Sequence, residues 1–562
     1  MVLYDRTSMS AKQKNVVVIS TARDLDYQQD YVSLPHEYGT DAFDQREDIR
    51  AIREAVFTNL TTLDQKTQFS QKIIHRKVLI KPNLVTVFHD LGMRERDYPE
   101  STDPRVIDAV VLYLQQFTRD IQIVESAGKG IPTRAAFRIT GLDRLATVRD
   151  VELVALEEQP VERYLLPRAQ VMQEMIIPKT FIPVVNGDAF YISIPKMKTN
   201  LFTGVTLGFK NAMGTIPYFL RLRNHNHALD QKLVDMLRLF QADLVIIDGI
   251  VGGEGNGPAP VHPVQSRVII SGNHSVETDR VATRMMGIDP AEIHLMRVAD
   301  QEGFNDSDVE INGDETVSPY TQADPSLLGD WMQKNFPNVH ILVGDHRAGV
   351  KPENESRHLS GEDVRRMEMF CRGGCLAATR YAFDMLFNEG QKRDFYLTAI
   401  IGPGLQVNGE LLYFDRQGNP YTSMEIAAID EKKMAVGTCT NHLKPIVDRM
   451  IPGCMPFPNS AHMIVHQLSG TWCSILSMRN RHLIPALIDT LILCERRKRL
   501  LRQGMRIDIP WHPEDKLFSP RVFTETELKM QFIHEPFGLL SKEEIHRLCR
   551  EENRSILATF FP

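Results

Sequence analysis

Four of the seven cysteines lie beside glycine or proline, in segments whose composition is typical of loops. Loop glycines let several sulfurs point at one centre, whereas structural cysteines usually lie inside apolar runs. Four thiolates suit a 4Fe–4S iron–sulfur cluster or a tetrahedral zinc ion, and the softness of sulfur does not separate the two. A redox-active thiol pair and inert cysteines are the alternatives. The predicted metal ligands are Cys371, Cys375, Cys439 and Cys454, whereas Cys473 and Cys549 are expected to be structural.

A second group of residues combines lysines, amides and glycines directly after a predicted buried strand. The chain reads IPKMKTN at 194–200 and GVTLGFKNAMG at 204–214. Open α/β sheets bind ligands at the carboxyl ends of their strands, and glycines let backbone N–H groups approach an anion. The spacing matches neither a P-loop nor a dinucleotide fingerprint. We predict a site for an anionic small molecule, although a turn with solvated lysines would share this pattern. Its predicted substrate-binding residues are Lys81, Asn83, Lys196, Lys210, Asn211, Arg221 and His225, and Lys198 is predicted to be catalytic.

A glycine-rich acidic segment, DGIVGGEGNGP at 248–258, follows another predicted strand. Carboxylates at a strand end can hold a hard cation through oxygen ligands or accept protons. We predict that Asp248 and Glu254 are catalytic and either hold a divalent cation or move protons, and that Asp279 joins them. The alternative is a tight loop in which Asp248 caps neighbouring amides. His225 and His227 have the His-x-His spacing of metal ligands, although two exposed histidines in a turn would share it.

The elements that must position these residues alternate between short β-branched strands and amphipathic helices. Such alternation is typical of a sheet that helices cover on both faces. We predict an α/β fold of two parallel or mixed sheet units with covering helices, plus a helical C-terminal tail. The first α/β domain is predicted over 12–330 with the lysine and acidic motifs, a second α/β unit over 336–480 with the cysteines, and the tail over 481–562. Residues 362–387 are predicted as one helix.

Composition narrows the class of protein. The 562 residues are 43% hydrophobic and 24% charged, which is an ordinary globular balance. A net charge of -7 disfavours general nucleic-acid binding. The beginning of the chain does not have the pattern of a secretory signal, and the longest apolar run, 483–494, is too short to span a bilayer. An odd number of cysteines favours reduced thiols in the cytosol. We therefore predict a cytoplasmic protein without membrane or nucleic-acid partners.

Several motifs together are similar to those of one family. They are KPNLV (81–85), ESTDPRVIDAVV (100–111), VESAGKG (124–130), IPKMKTNLFTGVTLGFKNAMGTIP (194–217), DLVIIDGIVGGEGNGP (243–258) and the run around Glu277, Thr278 and Asp279. Over about 75–305 the chain resembles the domain of unknown function 362 family. The resemblance implies a bacterial or archaeal type of protein of undefined activity, whose relatives often carry iron–sulfur cysteines. Many relatives also have a ferredoxin-like run of cysteines that this chain does not contain.

The leading hypothesis is a metal- or iron–sulfur-dependent redox enzyme. Its first domain would bind an anionic small molecule, its second unit would hold the thiolate-bound centre, and an electron-transfer protein would be its partner. One alternative is a non-catalytic carrier or maturation factor for a metal or cofactor. Another is a metal-free hydrolase or transferase that uses the carboxylates and lysines.

Overall fold

The computed structural model of the chain confirms the predicted α/β class. It describes residues 14–28, 30–85, 99–128, 131–217, 219–221, 225–226, 228–352, 357–473, 482–508 and 521–560. The described strands are β1 (Val16–Thr21), β2 (Lys77–Pro82), β3 (Ile121–Glu125), β4 (Glu152–Ala155), β5 (Val161–Leu165), β6 (Glu174–Pro178), β7 (Ala189–Ile194), β8 (Lys196–Asn200), β9 (Gly204–Thr206), β10 (Leu244–Glu254), β11 (His262–Val264), β12 (Val268–Gly272), β13 (Glu310–Asn312), β14 (Val339–Asp345), β15 (Leu397–Val407), β16 (Glu410–Phe414), β17 (Pro420–Thr422), β18 (Lys432–Val436), β19 (Arg449–Ile451) and β20 (Ile533–Glu535).

Helices cover the sheets and form most of the C-terminal part. Those described are α1 (Asp41–Asp44), α2 (Glu47–Thr67), α3 (Phe69–Ile73), α4 (Pro104–Leu114), α5 (Thr133–Thr140), α6 (Leu142–Arg149), α7 (Ile182–Asn186), α8 (Gly208–Asn211), α9 (Leu229–Met236), α10 (Ser275–Met285), α11 (His294–Gln301), α12 (Asp330–Asn335), α13 (Gly361–Phe370), α14 (Ala377–Asn388), α15 (Ser423–Ala428), α16 (Pro458–Ser469), α17 (Leu483–Arg502), α18 (Glu525–Leu528) and α19 (Lys542–Phe560).

The first sheet has the main strand order β13-β1-β12-β10-β7-β2-β3-β4, and β8, β9 and β11 extend it beside β10. Strands β7, β2, β3 and β4 run parallel, so their carboxyl ends meet at one edge. Their apolar β-branched side chains are buried on both faces, in two separate core clusters. The edge where these strands end carries the lysine motif.

The second sheet has the order β17-β16-β14-β15-β18-β19. Strands β14, β15, β18 and β19 are parallel, which again gathers their carboxyl ends at one edge. The loops after β18 and β19 are tied together by hydrogen bonds between Thr438 and Gly453. Cys439 and Cys454 therefore lie in neighbouring loops.

The prediction of one helix over 362–387 is wrong. The chain forms α13 and α14, separated by a tight turn over Arg372–Leu376 that follows Cys371. Gly374 has non-helical backbone angles there (φ -140°, ψ -109°). A Cβ on Gly373 would lie 2.3 Å from the carbonyl oxygen of Asn226, so the backbones approach too closely for any other residue.

The C-terminal part packs on the first unit and is not entirely helical. Strand β20 pairs with β5 in a three-stranded sheet that also contains β6. Buried Arg497 forms ion pairs with Asp508 (2.5 Å) and Glu552 (2.6 Å). On α17, the apolar side chains of Ile488 and Leu491 are exposed, so this helix packs through one face only. Within the described ranges, no helix combines the length and apolar character that crossing a bilayer requires.

Candidate functional site

A cavity of about 130 Å³ lies where the two sheet units meet. Lys210, Arg221 and His225 contribute polar groups from the first unit. Tyr381 and Met455 close it from the second unit, and most of the remaining wall is apolar. Its full lining is Lys81, Asn83, Val85, Glu125, Gly128, Asn200, Phe202, Thr206, Lys210, Asn211, Met213, Gly214, Arg221, His225, Pro258, Tyr381, Met455, Phe457, Pro458 and Asn459. Such a cavity suits a small molecule with a charged group and an apolar body.

Lys81 lines the cavity, and its side chain is paired with a carboxylate. Its Nζ lies 3.0 Å from Glu125 Oε1 and donates to Asn211 Oδ1 (2.9 Å), and all three residues come from the sheet edge or the loop beside it. Burial lowers the pKa of Lys81, while the Glu125 charge opposes that effect. A Cβ on Gly214 would lie 2.6 Å from Lys81 Nζ, which explains the glycine in this motif. The pair is nearly neutral as a unit, so it shapes the wall without adding net charge.

Lys210 is the lysine best placed to meet an anion. Its Nζ lies 3.5 Å from His225 Nε2, and no carboxylate of the described residues pairs with it in an ion pair. Burial, reinforced by the positive charge of Arg221, lowers the pKa of Lys210 to about 8. Arg221 is held by the backbone carbonyls of Ser126 and Ala127 at 2.8 Å. The cavity therefore carries an excess of positive charge.

Lys198 lies behind Asn83, which is part of the cavity wall. Lys198 Nζ donates to Asn83 Oδ1 (3.1 Å) and to the Glu100 carbonyl. Asn83 lines the cavity, whereas Lys198 does not. Burial lowers the pKa of Lys198 to about 7, which leaves a proton easy to remove near neutral pH. The geometry supports an indirect, positioning role for Lys198 rather than direct contact with a ligand.

Lys196 and Asp248 are placed differently from the prediction. They are partners in register on β8 and β10, and Lys196 Nζ lies 2.6 Å from Asp248 Oδ2 with both side chains fully buried. Asp248 also accepts hydrogen bonds from the amides of Asp103 (2.7 Å) and Ile250 (3.2 Å), as the capping alternative expects. Neither residue lines the cavity. Since each charge satisfies the other, the pair does not offer a substrate-binding lysine or a catalytic carboxylate.

Glu254 and Asp279 accept hydrogen bonds from backbone amides. Glu254 is six residues further along β10, and the pairing of β10 with β8 is irregular between Asp248 and Gly253. Its carboxylate accepts from the Thr321 amide at 2.6 Å. Asp279 accepts from the amides of Gly208 (2.6 Å) and Phe209 at the start of α8. Among the described residues these three carboxylates do not form one group of close ligand atoms, and the divalent-cation site stays a prediction. His227 lies outside the described residues.

The four cysteines of the second unit come together, and none forms a disulfide. A Cβ on Gly437 would lie 2.7 Å from Cys375 Sγ and 3.4 Å from Cys439 Sγ, so both sulfurs surround this glycine. Cys371 Sγ lies 3.3 Å from the corresponding point on Gly374. Cys371 and Cys375 are buried, whereas Cys439 and Cys454 are exposed. The group thus lies at the surface end of the sheet edge.

Neighbouring groups shift the pKa values of the cysteine thiols in opposite directions. A hydrogen bond from the Cys375 thiol lowers the pKa of Cys371 to about 7, and Arg347 acts in the same direction. Burial raises the pKa of Cys439 to about 11, helped by the Cys371 charge. Nearby cations favour thiolates, and thiolates are the form that binds metal. Arg347 is itself held by Asp345 at 2.8 Å.

The separation of the sulfurs distinguishes between kinds of metal centre. A tetrahedral zinc ion with Zn–S bonds of about 2.3 Å holds its sulfurs within about 4 Å of one another. In the part of the chain that the structure describes, no three of these four sulfurs lie within 4.8 Å of each other. An iron–sulfur cluster is larger than one ion and separates its cysteine ligands more widely. The residues present fit a cluster better than a single zinc ion.

Two residues join the cavity to the cysteine loops. His225 Nδ1 donates to the Gly373 carbonyl (3.1 Å), which leaves Nε2 as the acceptor that faces Lys210. Burial lowers the pKa of His225 well below its usual range, so the ring is neutral. Asn226 Nδ2 donates to the Cys454 carbonyl (3.0 Å) and lies 3.5 Å from Cys454 Sγ. Met455, next to Cys454, lines the cavity. A ligand in the cavity would therefore lie directly beside the cysteine group.

Sequence reasoning missed several residues at this interface. Asn226, Tyr381 and Arg347 have no local pattern that would identify them, because their role depends on contacts between the two units. A second group of ligands was also missed: His462, His466 and Cys473 are all buried and lie together. The His-x-x-x-His spacing of its two histidines places both rings on one helix face, and this signal was available.

The fold and site define an α/β protein with two main sheets and a positively charged cavity beside four clustered cysteines. Residues 78–284 match the family described as "Domain of unknown function (DUF362)", which is the family that the motifs predict. The chain is also similar to "Thylakoid-associated protein sll1697" of Synechocystis sp. (strain ATCC 27184 / PCC 6803 / Kazusa), with 29% identity over 126 residues. That similarity covers 21% of this chain and 39% of the relative.

Proposed function

We propose that the protein is an iron–sulfur-dependent redox enzyme that acts on an anionic small molecule. The observation that carries the proposal is the cavity, whose wall contains Lys210 and also Met455, the neighbour of Cys454. Cys371, Cys375, Cys439 and Cys454 would hold a 4Fe–4S cluster, which would supply single electrons. Zinc at the same sulfurs is the alternative that their separation favours less. We further propose that the protein acts in the cytoplasm, where thiols stay reduced.

The chain's own residues would bind and orient the substrate. Lys210 and Arg221 would hold its anionic group, while Phe202, Tyr381 and Met455 would exclude water from its apolar part. Neutral His225 would keep Lys210 in place without competing for the anion. Lys198 would hold Asn83 in position through the hydrogen bond to its side-chain oxygen. Exposed Cys439 and Cys454 lie where an electron-transfer protein could approach.

Metal analysis of anaerobically purified protein tests the cluster. We expect about four iron and four sulfide per chain and a visible absorption band that reduction bleaches. Zinc bound by the four cysteines in place of iron would contradict the redox proposal, as would a colourless protein that keeps a measured activity after all four cysteines are replaced. The second result would favour the metal-free hydrolase or transferase.

A charge-discrimination measurement tests the anion site. Benzoate and benzamide have the same shape but differ in charge, so we expect benzoate to bind at least about tenfold more tightly, the ratio that 1.4 kcal/mol provides. Lys210→Met should reduce this preference several-fold because it removes one of the two cations, Lys210 and Arg221, that face the cavity. Exposed Lys444→Met is the matched control. Equal preference in Lys210→Met and in the unchanged protein would contradict the site.

Exposure of two of the four cysteines favours a second candidate, a carrier that hands its metal or cluster to another protein. Cys439 and Cys454 could be reached by an acceptor, whereas an enclosed centre could not. Incubation with an apo-ferredoxin separates the two functions. A carrier would lose its cluster to the acceptor in a one-to-one transfer, whereas the enzyme would keep the cluster through many reductions.

A further inference from the structure

Behind the cavity wall, two imidazoles, a thiol and a carboxylate converge in the interior of the second unit. His462 Nε2 and His466 Nε2 are 2.9 Å apart. Glu389 faces both rings, with its oxygens 3.3 Å from His462 Nε2 and 2.7 Å from His466 Nε2. One ring nitrogen of each histidine and Cys473 Sγ lie within 4.8 Å of one another. The side chains of His462 and Glu389 are 0% and 1% exposed, so water does not satisfy this group.

The local structure explains why these side chains meet. His462 and His466 are four residues apart on α16 and share one face. Gly470, in the left-handed region at φ 68°, ends the helix and turns the chain back so that Cys473 reaches the same face. Glu389 directly follows α14, which packs against α16. These side chains thus come from two helices and the turn after one of them.

The hydrogen bonds around the histidines match those of metal ligands. His466 Nδ1 lies 2.6 Å from Thr471 Oγ1, the kind of outer hydrogen bond that fixes the orientation of a ligating imidazole. A neutral His466 that donates from Nδ1 presents a lone pair at Nε2, directly facing the Glu389 carboxylate. A cation between these acceptors removes their repulsion. His462 Nδ1, also fully buried, has no hydrogen-bond partner within the described residues.

We propose that His462, His466 and Cys473 bind one zinc ion, with the Glu389 carboxylate beside the two rings as its nearest negative charge. Nitrogen and sulfur ligands suit Zn²⁺, and an enclosed site of this kind is typical of structural zinc. A tetrahedral zinc ion separates two ligand nitrogens by about 3.4 Å, close to the 2.9 Å between the Nε2 atoms. The site is independent of the four-cysteine group and of the proposed redox function.

The ion would fix one wall of the cavity. Pro458 and Asn459, at the start of α16, line the cavity, and Cys454 lies four residues before that helix. Tyr381 on α14 also lines it, and its ring lies 6.4 Å from the His462 ring. By clamping α16 to the end of α14, zinc would hold the wall and the loop of Cys454 in position. It is a structural site and does not contact substrate.

Metal analysis of the full chain tests this site. Protein from zinc-supplemented cells, dialysed against buffer without metal, should keep about one zinc per chain. The double variant His462→Gln/His466→Gln should lose that equivalent. Exposed His340→Gln and Cys494→Ser, a buried thiol elsewhere, should keep it. Cys375→Ser should also keep the zinc, which separates this site from the four-cysteine group.

Cobalt substitution identifies the ligands without depending on variants that fold poorly. Co²⁺ added to zinc-depleted protein should give tetrahedral d–d bands and a thiolate charge-transfer band, and the latter should disappear in Cys473→Ser. Failure of the folded, unchanged protein to retain zinc or to take up a tetrahedral cobalt ion would overturn the proposal. The same holds if the double variant binds as much zinc as the unchanged protein. The group would then be a hydrogen-bonded cluster in which protons separate the acceptors.

Discussion

Two groups of side chains in the second unit contain cysteine and differ in their exposure and in the distances between their ligand atoms. The first, Cys371, Cys375, Cys439 and Cys454, lies at the end of a sheet with two exposed cysteines, and within the described residues no three of its sulfurs lie within 4.8 Å of one another. The group of His462, His466 and Cys473 is enclosed between helices, with its ligand atoms within 4.8 Å. Because one ion requires close ligands and a multi-iron cluster requires distant ones, spacing separates the two roles better than residue type does.

The largest expected effect comes from removing one sulfur of the open group. Cys375 is in contact with Cys371 and beside Gly437, so Cys375→Ser should abolish cluster binding, with iron and sulfide falling from about four per chain to nearly none. Iron analysis and the visible spectrum measure this, and the zinc content should not change. Loss of both metals together would mean that the two groups are not independent.

Crowding around Gly437 provides a sharper test of the open group. Gly437→Ala adds a Cβ 2.7 Å from Cys375 Sγ at a backbone φ of 96°, so we expect partial loss of iron and a stability cost of about 1–3 kcal/mol. Gly409 has a similar φ of 86° with nothing within 4 Å, so Gly409→Ala controls for backbone strain alone. Iron content and urea unfolding compare the two. Equal iron loss in both variants would show that crowding of the sulfurs is not the cause.

The open group adjoins the cavity, and ligand binding there should depend on pH through Lys210. Its pKa of about 8 means that the side chain is charged below pH 8 and neutral above it. Benzoate affinity should therefore be constant at lower pH and fall up to about tenfold per unit as pH rises through about 8. Calorimetric titrations between pH 6 and 9 measure this. Lys210→Arg should keep binding over that range, and an unchanged slope in this variant would assign the titration to another group.

The smallest expected effect concerns the hydrogen bond from Asn226 to Cys454 Sγ. Hydrogen bonds to ligand sulfurs stabilise the reduced cluster, so Asn226→Ala should make the reduction potential more negative. A bond worth about 0.5–1.5 kcal/mol corresponds to roughly 20–60 mV for one electron. A potentiometric titration followed by absorbance measures the shift, with Asn459→Ala at the cavity wall as the control. An unchanged reduction potential in Asn226→Ala would show that this hydrogen bond does not affect the potential of the cluster.

Much of the fold was accessible from local sequence patterns. The alternation of short strands and helices predicted the α/β class, and the lysine motif begins at the end of a buried strand, β7, as its pattern predicted. The helix predicted through Cys371 failed because its glycines serve a contact with Asn226, which is 147 residues from Gly373. Hydrophobic periodicity reports local burial and carries no information on such distant backbone contacts.

The candidate site was only partly accessible for the same reason. Lys81, Lys196, Lys198 and Lys210 look equivalent in the sequence, as cations near strand ends. In the structure, Lys81 and Lys196 are paired with carboxylates, and Lys210 faces the cavity. Burying a lysine beside an acid from another strand depends on sheet register, which the motif does not encode.

By itself, the sequence determined the α/β class, the match of residues 78–284 to a family and the placement of four cysteines in glycine-rich loops. These are local properties of propensity, pattern and motif. Only the tertiary structure decided that Asp248 neutralises Lys196 and that Glu389 meets His462 and His466. The charge state of a side chain and the membership of a ligand group depend on the atoms within a few ångströms. Folding brings those atoms together from distant positions in the chain.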